Sequence, residues 1–146
     1  MTKQILYTIF IALIFVSCSS DGSINYIAES TLTGKVFGEN FTAVNGYAEH
    51  TEGVFVKVVL TSNTVNCHAN MESVPLYLTV AVPDRIGYHQ NVMAIFGKSG
   101  NEPVTEFDAL VEIVKIDNDQ LIARIRSENT SENNVEGTFT IPVCGF

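Results

Sequence analysis

Three histidines, His50, His68 and His89, are the side chains best suited to acid–base work in this chain. A nucleophile–base arrangement needs one of them set against a Ser, Thr or Cys, with a third group to orient the base. Neither "HExxH" nor "GxSxG" occurs, and all three histidines fall in stretches that read as turns or loops. No catalytic residue, cofactor or metal is therefore expected. In "NTVNCHAN", His68 directly follows Cys67. Adjacent side chains on an extended segment point apart, and no second spaced pair follows, so a structural cysteine fits better than a zinc ligand. "DNDQ" at 117–120 offers Asp117 and Asp119, but Gln120 and Leu121 break a calcium-loop pattern and a hairpin turn explains it. What remains is contact chemistry. Tyr88 and His89 stand together in the loop "DRIGYHQN", Tyr77 stands on a less apolar strand face, and these three are the candidate surface contacts.

The N-terminal region carries the clearest address. One cation, Lys3, precedes an apolar segment from Ile5 to Val16, which as a helix would span roughly 18 Å against the ~30 Å core of a bilayer. A positive start, a short apolar core and a small residue describe a secretory signal rather than a membrane span. Phe15-Val16-Ser17-Cys18 resembles the lipobox of bacterial lipoproteins, with Phe15 where that family usually has Leu. The resemblance implies cleavage after residue 17, acylation of Cys18, and a lipid-anchored protein of the cell envelope, with outer membrane as the expected address. More than one fatty chain makes such anchoring durable. The following residues, 18–30, read as a polar tether. Only Asp21 is acidic there, so the periplasmic and surface sides both stay open.

Composition bounds the remainder. All sixteen acidic residues lie beyond residue 17 and, without Lys3, seven of the eight basic ones, a net charge of −9. Such a surface repels nucleic acid, leaving a protein or glycan of the envelope as the expected partner. Residues 31–146 suffice for one domain. Outside the cytoplasm, the two cysteines left after Cys18, Cys67 and Cys144, should oxidise if the fold brings them together. A link across 77 positions would destabilise the unfolded chain by about 4–5 kcal/mol in the chain-entropy picture.

These groups must be positioned by strands, because nearly every segment after the tether has period two. "GVFVKVVLTS" puts Val54, Val56, Val58 and Leu60 on one face, and "VPLYLTVAV" does so with Leu76, Leu78, Val80 and Val82. In "NVEGTFTIPV", Val135, Gly137, Phe139, Ile141 and Val143 alternate with polar residues, and Pro142 predicts an edge strand or a strand end. "LTGKVFGENFTAVNGYAEH" reads as a hairpin around Gly38-Glu39-Asn40, with Gly46 a bulge or turn. The sum is an all-β domain, a single antiparallel β-sandwich of seven or eight strands (immunoglobulin-like or transthyretin-like), with a small β-barrel as the alternative.

"EIVKIDNDQLIARI" predicts a hairpin with Asn118-Asp119 at its turn, pairing Ile116 with Leu121, Lys115 with Ile122, Val114 with Ala123 and Glu112 with Ile125. That register sets Glu112 on the apolar face, where an unpaired carboxylate is costly. A rim position, a bulge that flips the pattern, and a buried acid with a partner each resolve the conflict. Finally, Asn134, Val135, Gly137, Phe139, Pro142 and Cys144 resemble the closing motif of a group of small secreted bacterial lipoproteins, and Gly34, Phe41 and Ala43 resemble their opening hairpin. This likeness implies a β domain with a disulfide at its last strand. The missing catalytic motifs, with a tether that presents the domain away from the membrane, lead to the expectation of a non-catalytic binding module. A small-ligand or cation carrier is the alternative.

Overall fold

The computed structural model describes residues 26–128 and 130–144. Nine strands follow one another: β1 (Thr33–Val36), β2 (Glu39–Thr42), β3 (Asn45–Thr51), β4 (Phe55–Thr61), β5 (Leu76–Pro83), β6 (Gly87–Lys98), β7 (Val104–Ile116), β8 (Gln120–Ser127) and β9 (Asn134–Cys144). One turn of 3-10 helix, Met71–Ser73, interrupts the link from β4 to β5. From β3 to β9 each strand pairs antiparallel with the next in sequence where they are neighbours, and β3 pairs parallel with β9. Those seven strands hydrogen-bond in one closed ring. The fold is thus all-β with a barrel, the alternative to the expected sandwich, and it has nine strands rather than seven or eight. A ring removes every free edge that two separate sheets would leave.

The barrel interior is filled by the alternating residues that the sequence marks as apolar. Val56, Val58, Leu60, Leu78, Phe96, Ile113, Leu121 and Ile125 are fully enclosed in one cluster. The β1–β2 hairpin supplies Val36 and Phe41 to the same cluster. It hangs from the first half of β9 while β1 also approaches β5 and β6 on the opposite wall, and Lys98 Nζ lies 2.6 Å from Glu39 Oε1. The hairpin therefore closes one end of the barrel. Its turn sits at Phe37-Gly38, one residue before the expected position, and both residues have positive φ (52° and 74°), the geometry of a two-residue hairpin turn. Asn133 Oδ1 accepts from Phe37 N–H and Glu132 O accepts from Gly38 N–H, which fixes the tip.

Two sequence expectations about β9 and β3 need correction. Strand β9 is not an edge: it pairs with β8 along its length, with β1 through Asn134–Glu136 and with β3 through Val143 and Cys144. Val143 N–H donates to Asp119 O, towards β8, so by strand alternation the donorless nitrogen of Pro142 faces the other side, where β1 has left and β3 has barely begun. Gly46 is neither bulge nor turn but a regular member of β3 opposite Leu60, where a Cβ would come within 2.2 Å of Val59 O. Close approach explains the glycine.

The chain also joins the fold before residue 31. Ile27 is buried, Ala28 N–H donates to Glu136 Oε1, and Arg126 Nη1 donates to Tyr26 O. Residues 30–32 then cross β9 at Gly137, where a Cβ would lie 2.5 Å from Leu32 Cα. With φ at +143°, that position excludes side chains on two counts.

Candidate functional site

Strand β7 carries two irregularities that shape the outside of the barrel. Between Lys115↔Ile122 and Ile113↔Ala123 the register slips, leaving Val114 bulged and exposed. Of the three readings for Glu112, the bulge is the one found: it turns Glu112 outward opposite Arg124, whose Nη1 donates to Glu112 Oε2 at 2.8 Å. Arg124 Nη2 reaches Glu29 as well, and the Glu112 carboxylate in first place raises the guanidinium pKa. The hairpin turn forms as predicted. Asp117 Oδ1 accepts from the N–H groups of Asp119 and Gln120, and Lys115 Nζ sits 2.6 Å from Oδ2. Lys115 first, then those two amides, hold the Asp117 carboxyl at about 2. These lone pairs serve the turn.

Cys67 and Cys144 form the disulfide, with Cα atoms 5.9 Å apart. Cys144 is buried beside Tyr47 and Val59 in a second apolar cluster outside the barrel, and Val65, Ala69 and Met71 of the β4–β5 segment cover it. Cys67 is therefore no thiolate ligand. Nearby, Glu49 takes Lys57 Nζ at 3.0 Å and His68 Nδ1 at 3.3 Å. Burial first, then the Glu49 charge, raises the Tyr47 phenol above its ordinary pKa.

Of the candidate contacts, Tyr77 is set apart from the other two. It stands on β5 opposite Gly97, and its ring occupies the space that a Cβ on Gly97 would need. That packing gives Tyr77 a structural role. Tyr88 and His89 lie side by side near the start of β6, not in a loop as expected. His50 likewise lies on β3, which leaves only His68 in a connection. His89 is buried, with Nε2 2.7 Å from Arg85 O, so it braces the turn before it. Tyr88 is 48% exposed. Cys18 lies outside the described residues.

The end of the barrel opposite the β1–β2 hairpin gathers the unexpected residues. Two hairpin tips meet there, 51–55 and 83–87. Phe55 is the register partner of Pro83, and Asp84 joins the tips: its Oδ2 accepts from Gly53 N–H at 2.8 Å and lies 2.9 Å from His50 Nε2. The histidine contact is electrostatic rather than an aligned hydrogen bond, since Nε2 has no aligned acceptor among the described residues. His50 first, then Gly53 N–H, pulls the Asp84 carboxyl below its ordinary pKa. On this braced frame Val54 (61%), Ile86 (57%) and Phe55 (40%) stand exposed. Behind the tips, an open cleft of about 400 Å³ runs along β5 and β6, lined by Pro83, Arg85, Tyr88, Gln90, Asn91 and Met93 among others. A bulge makes it: Gln90 and Asn91 together oppose Leu110 alone, and Asn91 takes a positive φ of 55°.

Sequence reasoning placed Val54 on the buried face and gave Phe55, Arg85 and Ile86 no role. The available signal was an apolar residue within each turn, in "TEGVF" and "PDRIG". Against known proteins, the chain matches no family model, no curated sequence and no solved structure.

Proposed function

We propose that this chain is a lipid-anchored protein of the bacterial cell envelope, acylated on Cys18, whose barrel is a non-catalytic binding module. The observation that carries the binding role is the pair of hairpin tips. Apolar side chains on turns normally need no explanation singly. Here Val54, Phe55 and Ile86 stand out together on a frame fixed by Asp84, beside Arg85 and Tyr88. Aromatic and Arg side chains are the composition of interface anchors, and here Phe55, Tyr88 and Arg85 stand beside the aliphatic Val54 and Ile86. The filled interior favours a surface contact over a ligand carried inside the barrel. Each histidine is already engaged, His50 with Asp84, His68 with Glu49 and His89 with Arg85 O, which favours binding over acid–base chemistry.

The envelope address rests on the lipobox resemblance and is tested by mass spectrometry of the mature N-terminus. Acyl mass on Cys18 is expected, and a start elsewhere without it removes the anchor. The binding role is tested by cross-linking the protein to envelope components, comparing it with Val54→Asp/Ile86→Asp. A partner captured by the wild type and lost by the variant supports the tips as the contact. Equal capture by both removes them from it.

A further inference from the structure

The cleft behind the tips narrows the binding-module reading, on which this inference rests, to a class of ligand. Charge comes first. In this acidic chain, Lys57, Lys98, Lys115 and Arg124 each face a carboxylate, and Arg126 takes a backbone carbonyl. Among the described arginines, Arg85 alone keeps its guanidinium without such a partner, and it lines a cleft that has no acidic residue in its wall. The planar guanidinium fork matches a carboxylate in two parallel hydrogen bonds. A single cation suits a monoanion better than a phosphate group, which carries up to two charges and favours clustered cations.

Shape and side-chain type supply the rest. The αL conformation at residue 91 is most easily met by glycine, yet Asn91 holds it and thereby places a carboxamide in the cleft beside that of Gln90. Carboxamides both donate and accept, as vicinal hydroxyls require. Tyr88 offers an exposed aromatic ring in the same wall, with Met93 adding apolar surface. The volume falls within the ordinary range for small-ligand sites, roughly 300–1,000 Å³. A carboxylate, several hydroxyls and a flat apolar face occur together in an acidic sugar. We infer that this cleft binds a uronic-acid saccharide, with its carboxylate on Arg85, its hydroxyls on Gln90 and Asn91, and its ring against Tyr88.

The test is titration of the protein with digalacturonate, followed by amide chemical shifts, with cellobiose and acetate as controls. Saturable shifts confined to the Arg85–Met93 segment are expected. Arg85→Gln should weaken binding about tenfold or more, the range for losing a charged hydrogen-bond partner. Tyr88→Ala should weaken it several-fold, and both variants should keep the wild-type unfolding midpoint. Cellobiose should bind as weakly as digalacturonate binds to Arg85→Gln. No shifts in that segment, equal binding of cellobiose, equal binding of acetate, or wild-type affinity in Arg85→Gln would each overturn the inference. The titration needs no envelope partner, so its failure leaves the cross-linking result on Val54 and Ile86 standing, and the reverse holds.

Discussion

Two connections on this barrel treat apolar side chains in opposite ways. The β4–β5 segment folds back over Tyr47, Val59 and Cys144, adds Val65, Ala69 and Met71, and is bonded down by Cys67–Cys144. The tips at 51–55 and 83–87 are also braced, through Asp84, yet their Val54, Phe55 and Ile86 remain in solvent. Among the described residues, the chain thus covers apolar surface outside its barrel at the β4–β5 segment and leaves the tips uncovered. Rigidity without cover is what a preorganised contact surface requires, because ordering costs are met before the partner arrives.

That contrast can be broken most forcefully at the covered side. Replacing both cysteines, Cys67→Ala with Cys144→Ala, should lower unfolding stability by about 2–5 kcal/mol in a denaturant titration. Protease cleavage should then appear within 62–75 while the tips keep their protection. Unchanged stability would mean that the link constrains little. Next in size, Gly137→Ala forces a Cβ against Leu32 in a left-handed backbone and should cost about 2–3 kcal/mol, read the same way.

At the uncovered side the effects should be smaller. Asp84→Ala should cost about 1–2 kcal/mol and speed hydrogen exchange at Gly53 without loosening Cys144. The same brace has a pH signature. Asp84 titrates below its ordinary 3.8 in the folded protein, so its stabilisation is complete above that value and is lost as pH falls through the lower folded pKa. Gly53 protection should therefore fade only below about pH 4, and its loss on acidification well above that would take the brace away from Asp84. Smallest in stability is Val54→Asp/Ile86→Asp, expected within about 0.5 kcal/mol of wild type, as befits exposed positions. A large loss there would make the tips part of the core and end the comparison.

Local periodicity showed the strands and most of the interior, because Leu76, Leu78, Val80 and Val82 report their burial through spacing alone. Cysteine counting, apart from periodicity, paired Cys67 with Cys144. Periodicity failed where distant chain decides. Val59 and Thr61 lie on the face opposite Val56, Val58 and Leu60, and they are buried too. Val59 is covered by the β4–β5 segment, and strand alternation carries no trace of that cover. Glu112 looked misplaced because a one-residue bulge at Val114 is invisible in sequence until the hairpin register is broken. The ring depends on β3 meeting β9, a long-range parallel pairing without a local signature. Of the candidate site, Tyr88 and His89 were legible as neighbours near a turn. The apolar tips were not, since Val54 continues the alternation of β4 although it lies one residue outside that strand.

The parallel seam also sets an order of events. Strand β3 leaves the ribosome long before the residues that lock it, and neither Ala48↔Val143 nor Glu49↔Cys144 can form until the C-terminal segment has emerged. A nascent chain therefore cannot complete its circle early. It stays open and threadable until then, and the cylinder snaps shut only once residues 143 and 144 are free.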